Sequence, residues 1–304
     1  MQLLLICLIF TSSAFAEVHI SSTIKVDLQP GPVDIDFDSV KSIWEAPHLR
    51  HAYERYSPPN AKRPLANPAS RIIGGSPAAP GQFPFHVLFI GSDDFGSYWC
   101  GASFLSPNWL LNAAHCVVGL QRATVYSIDD LSIGYRWSSS VISAIYAGEY
   151  DPYTLFYDIA LNKISNPAQF SDYINYIQLP RGNVNNTFTG YNAHVQGFGL
   201  MSDSGEVSDV LQYTTLPIIS NAECAEVFEI NSLIMCASTT SGQSTCSGDS
   251  GGGLFVGNVH SHVNREIIGI VSFGAYAGCT LGYPVGFTRV TGFIDWIDFI
   301  MANY

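Results

Sequence analysis

After residue 71 the chain reads as short apolar runs separated by Gly and turn residues. Residues 85–90, 109–114, 158–164, 193–198 and 267–273 are the clearest examples. Their length, spacing and β-branched or aromatic content predict an all-β domain, either a barrel or a sandwich. The end of the chain departs from that pattern. Phe293, Trp296, Ile297 and Ile300 recur at i, i+3, i+4 and i+7, which predicts one amphipathic C-terminal helix.

The preceding residues have a different texture. Residues 17–71 contain seven prolines and no cysteine. Val33, Ile35 and Phe37 alternate with Asp34, Asp36 and Asp38, the period of a short strand. Residues 39–56 predict one weak helix, interrupted at Pro47. Neither element carries enough apolar surface to fold alone. At the start, residues 3–10 form an eight-residue apolar run, followed by Ala14-Phe15-Ala16 before Glu17. A short apolar run before a small-x-small site is the form of a secretory signal peptide. Eight residues are too few to span about 30 Å of hydrocarbon. Three segments are therefore expected: a signal peptide over 1–16, a propeptide over 17–71 and one folded domain over 72–304. The expected location is extracellular.

Cysteine usage agrees with that address. Cys7 leaves with the signal peptide, and Cys100, Cys116, Cys224, Cys236, Cys246 and Cys279 remain. Six cysteines in a secreted chain imply three disulfides, with about 15 connectivities open. No Cys-x-x-Cys pair is present, so a structural zinc site is not expected. Residues 17–71 hold seven Lys/Arg and seven Asp/Glu, whereas residues 72–304 hold six and 18. A domain this acidic argues against nucleic acid as a partner. The lone lysine after residue 71 is Lys163.

Three chemical motifs appear in order: Ala113-Ala114-His115-Cys116, Asp158-Ile159-Ala160-Leu161 and Gly248-Asp249-Ser250-Gly251-Gly252. A serine hydroxyl is a poor nucleophile at neutral pH. It needs an imidazole to take its proton, and the imidazole needs a carboxylate to fix its tautomer and stabilise its charged form. His115, Asp158 and Ser250 offer one candidate for each role. Gly-x-Ser-x-Gly also fits the nucleophile elbow of α/β-hydrolases, where the order is Ser, acid, His. After Ser250 the remaining histidines are His260 and His262, too close to admit an intervening acid-bearing strand. The order here is His, Asp, Ser.

With Arg71-Ile72-Ile73-Gly74-Gly75 and Ser272-Phe273-Gly274 added, these blocks resemble those of the chymotrypsin-type serine peptidases from Arg71 to the C-terminus. The segment Gly278-Cys279-Thr280-Leu281-Gly282-Tyr283-Pro284-Val285-Gly286-Phe287-Thr288-Arg289-Val290 is most similar to arthropod chymotrypsins and collagenolytic serine proteases. The resemblance implies two six-stranded antiparallel β-barrels with a C-terminal α-helix. It implies disulfides Cys100–Cys116, Cys224–Cys236 and Cys246–Cys279. It implies an oxyanion hole from the backbone N–H groups of Gly248 and Ser250, and Ser272 beside Asp158. Activation is expected by cleavage of the Arg71-Ile72 bond, after which the new ammonium at Ile72 pairs with Asp249. Ser244 is expected at the base of the pocket for the residue before the scissile bond (P1), with Gly274 and Val285 on its walls.

The expected function is hydrolysis of protein and peptide substrates by a monomeric secreted serine endopeptidase. A large or medium apolar P1 residue is expected, with an elastase-like preference or a non-catalytic binding homologue as alternatives. No metal or organic cofactor is required. A separate trypsin-like activator is expected, protein inhibitors are expected partners, and a digestive role is favoured over a regulatory one. Asn112, Phe198, Phe273 and Gly253 depart from the residues common in the family, and none removes a group the chemistry needs. The remaining polar residues receive plainer readings. His86 and His194 read as barrel residues, His260 and His262 as a surface hairpin, and Asp129 and Asp130 as a solvated loop. Asn185 is a glycosylation candidate on a surface loop.

Overall fold

A computed structural model describes residues 22–31, 36–49, 51, 73–203 and 207–304. The expected signal peptide over 1–16, the first part of the Asp-alternating stretch (residues 33–35) and the Arg71-Ile72 bond lie outside the described residues. The N-terminal segment does not stand apart. Strand β1 (Thr23–Asp27) and the short strands β2 (Gln29–Pro30) and β3 (Lys41–Ser42) all add to sheets of the domain that follows. Up to Leu49 the helix expected over 39–56 is replaced by separate 3-10 turns at Phe37–Ser39, Ile43–Glu45 and Pro47–Leu49, whereas His51 is helical. Phe37 thus lies in a turn and not in the strand its alternation suggested. Ser42 caps the second turn by accepting from the Trp44 N–H at 3.3 Å, and Pro47 opens the third, so backbone pairing and proline break up a segment too weakly helical to resist.

After a two-residue strand, β4 (Ser76–Pro77), six strands close into the first barrel. They are β5 (His86–Ser92), β6 (Ser97–Phe104), β7 (Trp109–Asn112), β8 (Arg122–Ser127), β9 (Trp137–Ala147) and β10 (Ala160–Ile164). Their order is β9-β10-β7-β6-β5-β8, and β8 closes antiparallel onto β9. Six more form the second barrel: β11 (Asn192–Gly197), β12 (Gln212–Ile219), β13 (Ile234–Ala237), β14 (Gly253–Val256), β15 (Glu266–Phe273) and β16 (Val285–Arg289). Here the order is β11-β14-β15-β16-β13-β12, closed by β11 on β12. The expected pair of six-stranded barrels is present.

Each barrel is filled from within. Val87, Phe89, Leu111 and Val125 are buried in the first, and Val195, Leu216, Leu254 and Phe287 in the second. Burying each such side chain contributes about 1.5–3 kcal/mol. The C-terminal helix, Ile294–Asn303, buries Trp296, Ile297 and Ile300 on one face, as the periodicity predicted. Two buried arginines pin loops around the barrels. Arg289 donates to four acceptors: Ser232 O, Thr187 O, Asn221 Oδ1 and Ile234 O. Arg265 donates to Asn258 O, Gln82 O and Val259 O. Burial pushes both guanidinium groups down to about 10, so they remain charged at neutral pH.

The barrels meet where Gly101 of β6 donates its N–H to Ser250 O at 2.7 Å. A Cβ at Gly101 would lie 2.9 Å from Gly252 Cα, a contact between backbones that only glycine permits. All three disulfides form with the implied pairing, with Cα–Cα separations of 6.3, 6.1 and 5.6 Å.

Candidate active site

The first barrel presents His115 and Asp158, and the second presents Ser250. His115 sits in the 3-10 turn Ala114–Cys116 that follows β7. The Cys100–Cys116 disulfide ties this turn to β6, and Asn112 Oδ1 accepts the Ala113 N–H at 2.7 Å. Asp158 precedes β10. The loop that delivers it holds Leu155 and Tyr157 in the left-handed region, at φ 53° and 58°. Such conformations cost about 1–3 kcal/mol each and persist where surrounding structure over-determines them.

The carboxylate of Asp158 is fully buried and accepts three hydrogen bonds. Its Oδ2 takes His115 Nδ1 at 2.7 Å and Ser272 Oγ at 2.6 Å, and its Oδ1 takes the His115 backbone N–H at 2.9 Å. Thr288 Oγ1 donates to the Asp158 carbonyl at 2.7 Å and fixes the backbone. A carboxylate can only accept, so the imidazole proton belongs on Nδ1. That leaves a lone pair on Nε2, which is buried and has no hydrogen-bond partner among the described residues.

The loop carrying Ser250 is shaped by its glycines. Gly248 has φ +103° and Gly251 has φ +76°. A Cβ at Gly251 would fall 2.1 Å from Asn112 Oδ1 and 3.1 Å from Cys116 Sγ. The Ser250 loop therefore abuts the segment carrying His115. The Asp249 N–H donates to Cys246 O and the Gly251 N–H to Val271 O. By contrast, the N–H groups of Gly248 and Ser250 donate to no described group. Two free backbone donors beside a serine can stabilise a developing oxyanion. Asp249 points the other way. Its buried carboxylate accepts from the N–H groups of Gly199 and Cys246, both at 2.9 Å. Burial pushes it up to about 6, against the pull of these two bonds.

Ser244 is buried and donates to Thr245 O at 2.8 Å, while its N–H donates to Ile73 O at 3.0 Å. Gly274 and Val285 face each other: a Cβ on the glycine would lie 3.7 Å from Val285 Cγ1. No charged side chain is found at these positions. Phe273, next to Ser272, packs edge-on against Phe228 with ring centroids 5.4 Å apart.

Some readings from sequence need revision. Asp129 is no free loop residue: it accepts the Gly81 N–H at 3.2 Å and pairs with Arg136 at 3.1 Å. Asp130 caps the turn Leu131–Ile133 through the Ser132 N–H. His86 lies buried in β5, with burial pushing it down to about 3, and His194 lies in β11. His260 and Asn185 are exposed. One residue was missed entirely. Trp44, from the N-terminal segment, stacks on the His115 ring at 4.9 Å between centroids and 26° between planes.

The trypsin family model matches residues 72–297. The chain belongs to the trypsin family. Among its family relatives, brachyurin of Leptuca pugilator is 38% identical over 246 residues, covering 75% of this chain and 97% of the relative. A collagenase of Hypoderma lineatum is 37% identical over 235 residues, covering 75% and 86%. Serine protease 1 of Drosophila melanogaster is 34% identical, covering 77% and 87%. A solved HL collagenase structure superposes with a TM-score of 0.68 at 34% identity, covering 76% of this chain and 99% of its own. The chain is thus a trypsin-family serine peptidase, similar to collagenolytic members from arthropods, and its substrates are proteins.

Proposed function

We propose that residues 72–304 are a secreted serine endopeptidase with His115, Asp158 and Ser250 as its triad, made as a precursor and activated by cleavage at Arg71-Ile72. The observation that carries this reading is the buried Asp158 carboxylate holding His115 Nδ1, with Nε2 left free beside the Ser250 loop. Ser250 Oγ attacks the scissile carbonyl as its proton passes to Nε2. The imidazolium so formed is stabilised by Asp158, whose own charge is supported by Ser272. The Gly248 and Ser250 N–H groups take the oxyanion, each worth about 2.7–4 kcal/mol. Collapse expels the amine, which receives the proton from Nε2, and water then releases the acyl group by the same steps.

Activation follows from Asp249. Among the described residues its buried carboxylate has no cation partner, and the Ile72 ammonium would supply one. The pair would hold the adjoining Gly248 amide in its oxyanion-binding position. The docking of Ile73 O on the Ser244 N–H brings the chain just past the scissile bond to this region.

For the P1 residue we propose a neutral, apolar pocket. Ser244 at its base cannot pair with Arg or Lys, and Val285 makes one wall apolar. Leu, Met, Phe and Tyr are favoured, and a buried cation would find no partner. The separation between Gly274 and Val285 supports a preference for smaller aliphatic residues as the second reading. The enzyme therefore cleaves its own Arg71 poorly and depends on a trypsin-like activator. Kinetics on matched peptides differing only at P1 test the proposal. The highest kcat/KM should fall on Leu, Met, Phe or Tyr, and a maximum at Arg or Lys would overturn the assignment of Ser244 and Val285.

A further inference from the structure

Residues 22–31 and 36–49 are built into the peptidase domain. Strand β1 extends β9 antiparallel, from Thr23 opposite Ala147 to Asp27 opposite Ser143. The Leu28 N–H donates to Ile142 O at 3.0 Å and the Gln29 N–H to Gln121 O at 2.9 Å. Phe37 stacks on Trp99 and meets Tyr126 edge-on. Strand β3 then pairs parallel with the start of β6, Lys41 with Tyr98 and Ser42 with Trp99. This is the residue pair just before Cys100, whose disulfide partner adjoins His115. From there the chain crosses the catalytic histidine. Ile43, Ala46 and Leu49 are at most 1% exposed, and Trp44 stacks on the imidazole while packing against the cluster that includes Leu155 and Phe273. Beneath this cover His115 is 0% exposed and Ser250 is 2% exposed.

A general base that is wholly buried cannot meet a substrate. We infer that residues 36–49 are an intramolecular inhibitor seated in the substrate cleft, with Trp44 as the plug over His115 and β1 as its anchor, and that this segment stays bound after the Arg71-Ile72 bond is cut. The inference rests on the peptidase reading above. Two further observations support retention. Ile73 is docked on Ser244 while Trp44 is stacked on His115, so the position taken by the new N-terminal region and that of the plug are compatible. The hold is also spread over three strands and five buried apolar side chains, Leu28, Val40, Ile43, Ala46 and Leu49, although no cysteine lies in residues 17–71. Full activity then needs a second event, dissociation or trimming of the segment. Lys41 is exposed on the plug itself, where a trypsin-like protease can reach it.

The test uses the full chain with residues 67–71 replaced by the recognition sequence of a site-specific protease, so that a single bond is cut. After cleavage, the segment should co-elute with the domain in size-exclusion chromatography. The activity of that complex on a peptide substrate should be at least about tenfold below that of the domain after trimming by trypsin. Trp44→Ala should recover most of that difference with the segment still bound, as seen by mass spectrometry of the eluted complex. A synthetic peptide of residues 36–51 should inhibit the trimmed enzyme competitively, and its Trp44→Ala version should be at least about tenfold weaker, equivalent to 1.4 kcal/mol. Full activity with the segment bound, or departure of the segment immediately on cleavage, overturns the inference. Absence of activity even after the segment has been removed counts instead against the peptidase reading.

Discussion

Replacing Asp249 by asparagine separates what the carboxylate costs before cleavage from what it contributes afterwards. Burial raises its pKa from 3.8 to about 6 in the folded chain. The folded chain therefore binds the proton more tightly than the unfolded one, and stability falls as pH rises from about 4 to about 6. At about 1.36 kcal/mol per pKa unit, the ionised carboxylate costs the precursor about 3 kcal/mol at pH 7. Asparagine never ionises, but it keeps one acceptor oxygen for two backbone donors, the Gly199 and Cys246 N–H groups. Leaving one of them unsatisfied costs about 1–3 kcal/mol. At pH 7 the two effects nearly cancel, so the precursor's melting temperature should change little. At pH 4 only the loss remains, and the variant should be the less stable. After cleavage the sign reverses. The Ile72 ammonium would be buried without its partner, at about 3–5 kcal/mol, and kcat/KM should fall by about two to three and a half orders of magnitude. Thermal unfolding of the precursor at both pH values, with peptide-ester kinetics after verified cleavage, tests both halves. A variant that keeps parental kcat/KM once cut would refute the activation argument.

Four further outcomes are expected. Ser272→Ala removes a 2.6 Å donor to the Asp158 carboxylate, so kcat should fall about 10- to 100-fold with KM little changed, since hydrogen bonds to charged groups contribute about 1.5–3 kcal/mol. Gly274→Val would set a branched side chain against Val285 Cγ1, and peptide kinetics should show the P1 optimum moving from large residues to Ala or Val. The activated domain should resist trypsin, because it holds six Lys/Arg and two of them, Arg265 and Arg289, are buried; rapid digestion of the folded enzyme would argue against a digestive role among trypsin-like enzymes. Burial pushes His48 below its ordinary 6.5, aided by nearby His115 and opposed by Asp93 and a hydrogen bond with the His115 backbone. The docked segment thus prefers neutral His48, and inhibition by the 36–51 peptide should weaken as pH falls below about 6.5, a trend that His48→Gln should flatten.

What could be read from sequence divides along physical lines. The segments carrying His115, Asp158 and Ser250 stand out in the sequence because the chemistry admits few residue types and their order excludes the hydrolase arrangement, and the structure brings His115 and Asp158 into contact. The all-β class was legible because short apolar runs such as 85–90 and 267–273, buried throughout, recur along the chain, whereas the choice of two barrels over a sandwich came only through the family resemblance. The N-terminal segment was not. Strand β1 joins a sheet edge through backbone hydrogen bonds, and none of its five residues is fully buried, so no hydrophobic period marks it. Trp44 sits among prolines and charges, where its single large apolar surface looks like chance. The signal that could have found it is that an exposed tryptophan in a segment unable to fold alone needs a partner surface. The reading of Asp129 as a solvated loop residue fails because one partner, Gly81, lies 48 residues away, a contact a sequence does not display, and the other, Arg136, seven residues on, is reached only when the loop between them folds back.

The central claim is that Ser250 is a nucleophile activated by His115. Incubation of the cleaved, segment-free protein with a fluorophosphonate probe, followed by peptide mass spectrometry, tests it most directly. The account predicts one adduct, on the peptide containing Ser250, strongly reduced in the intact precursor and in His115→Ala. Labelling at another serine, or none at Ser250 in the activated protein, would contradict it.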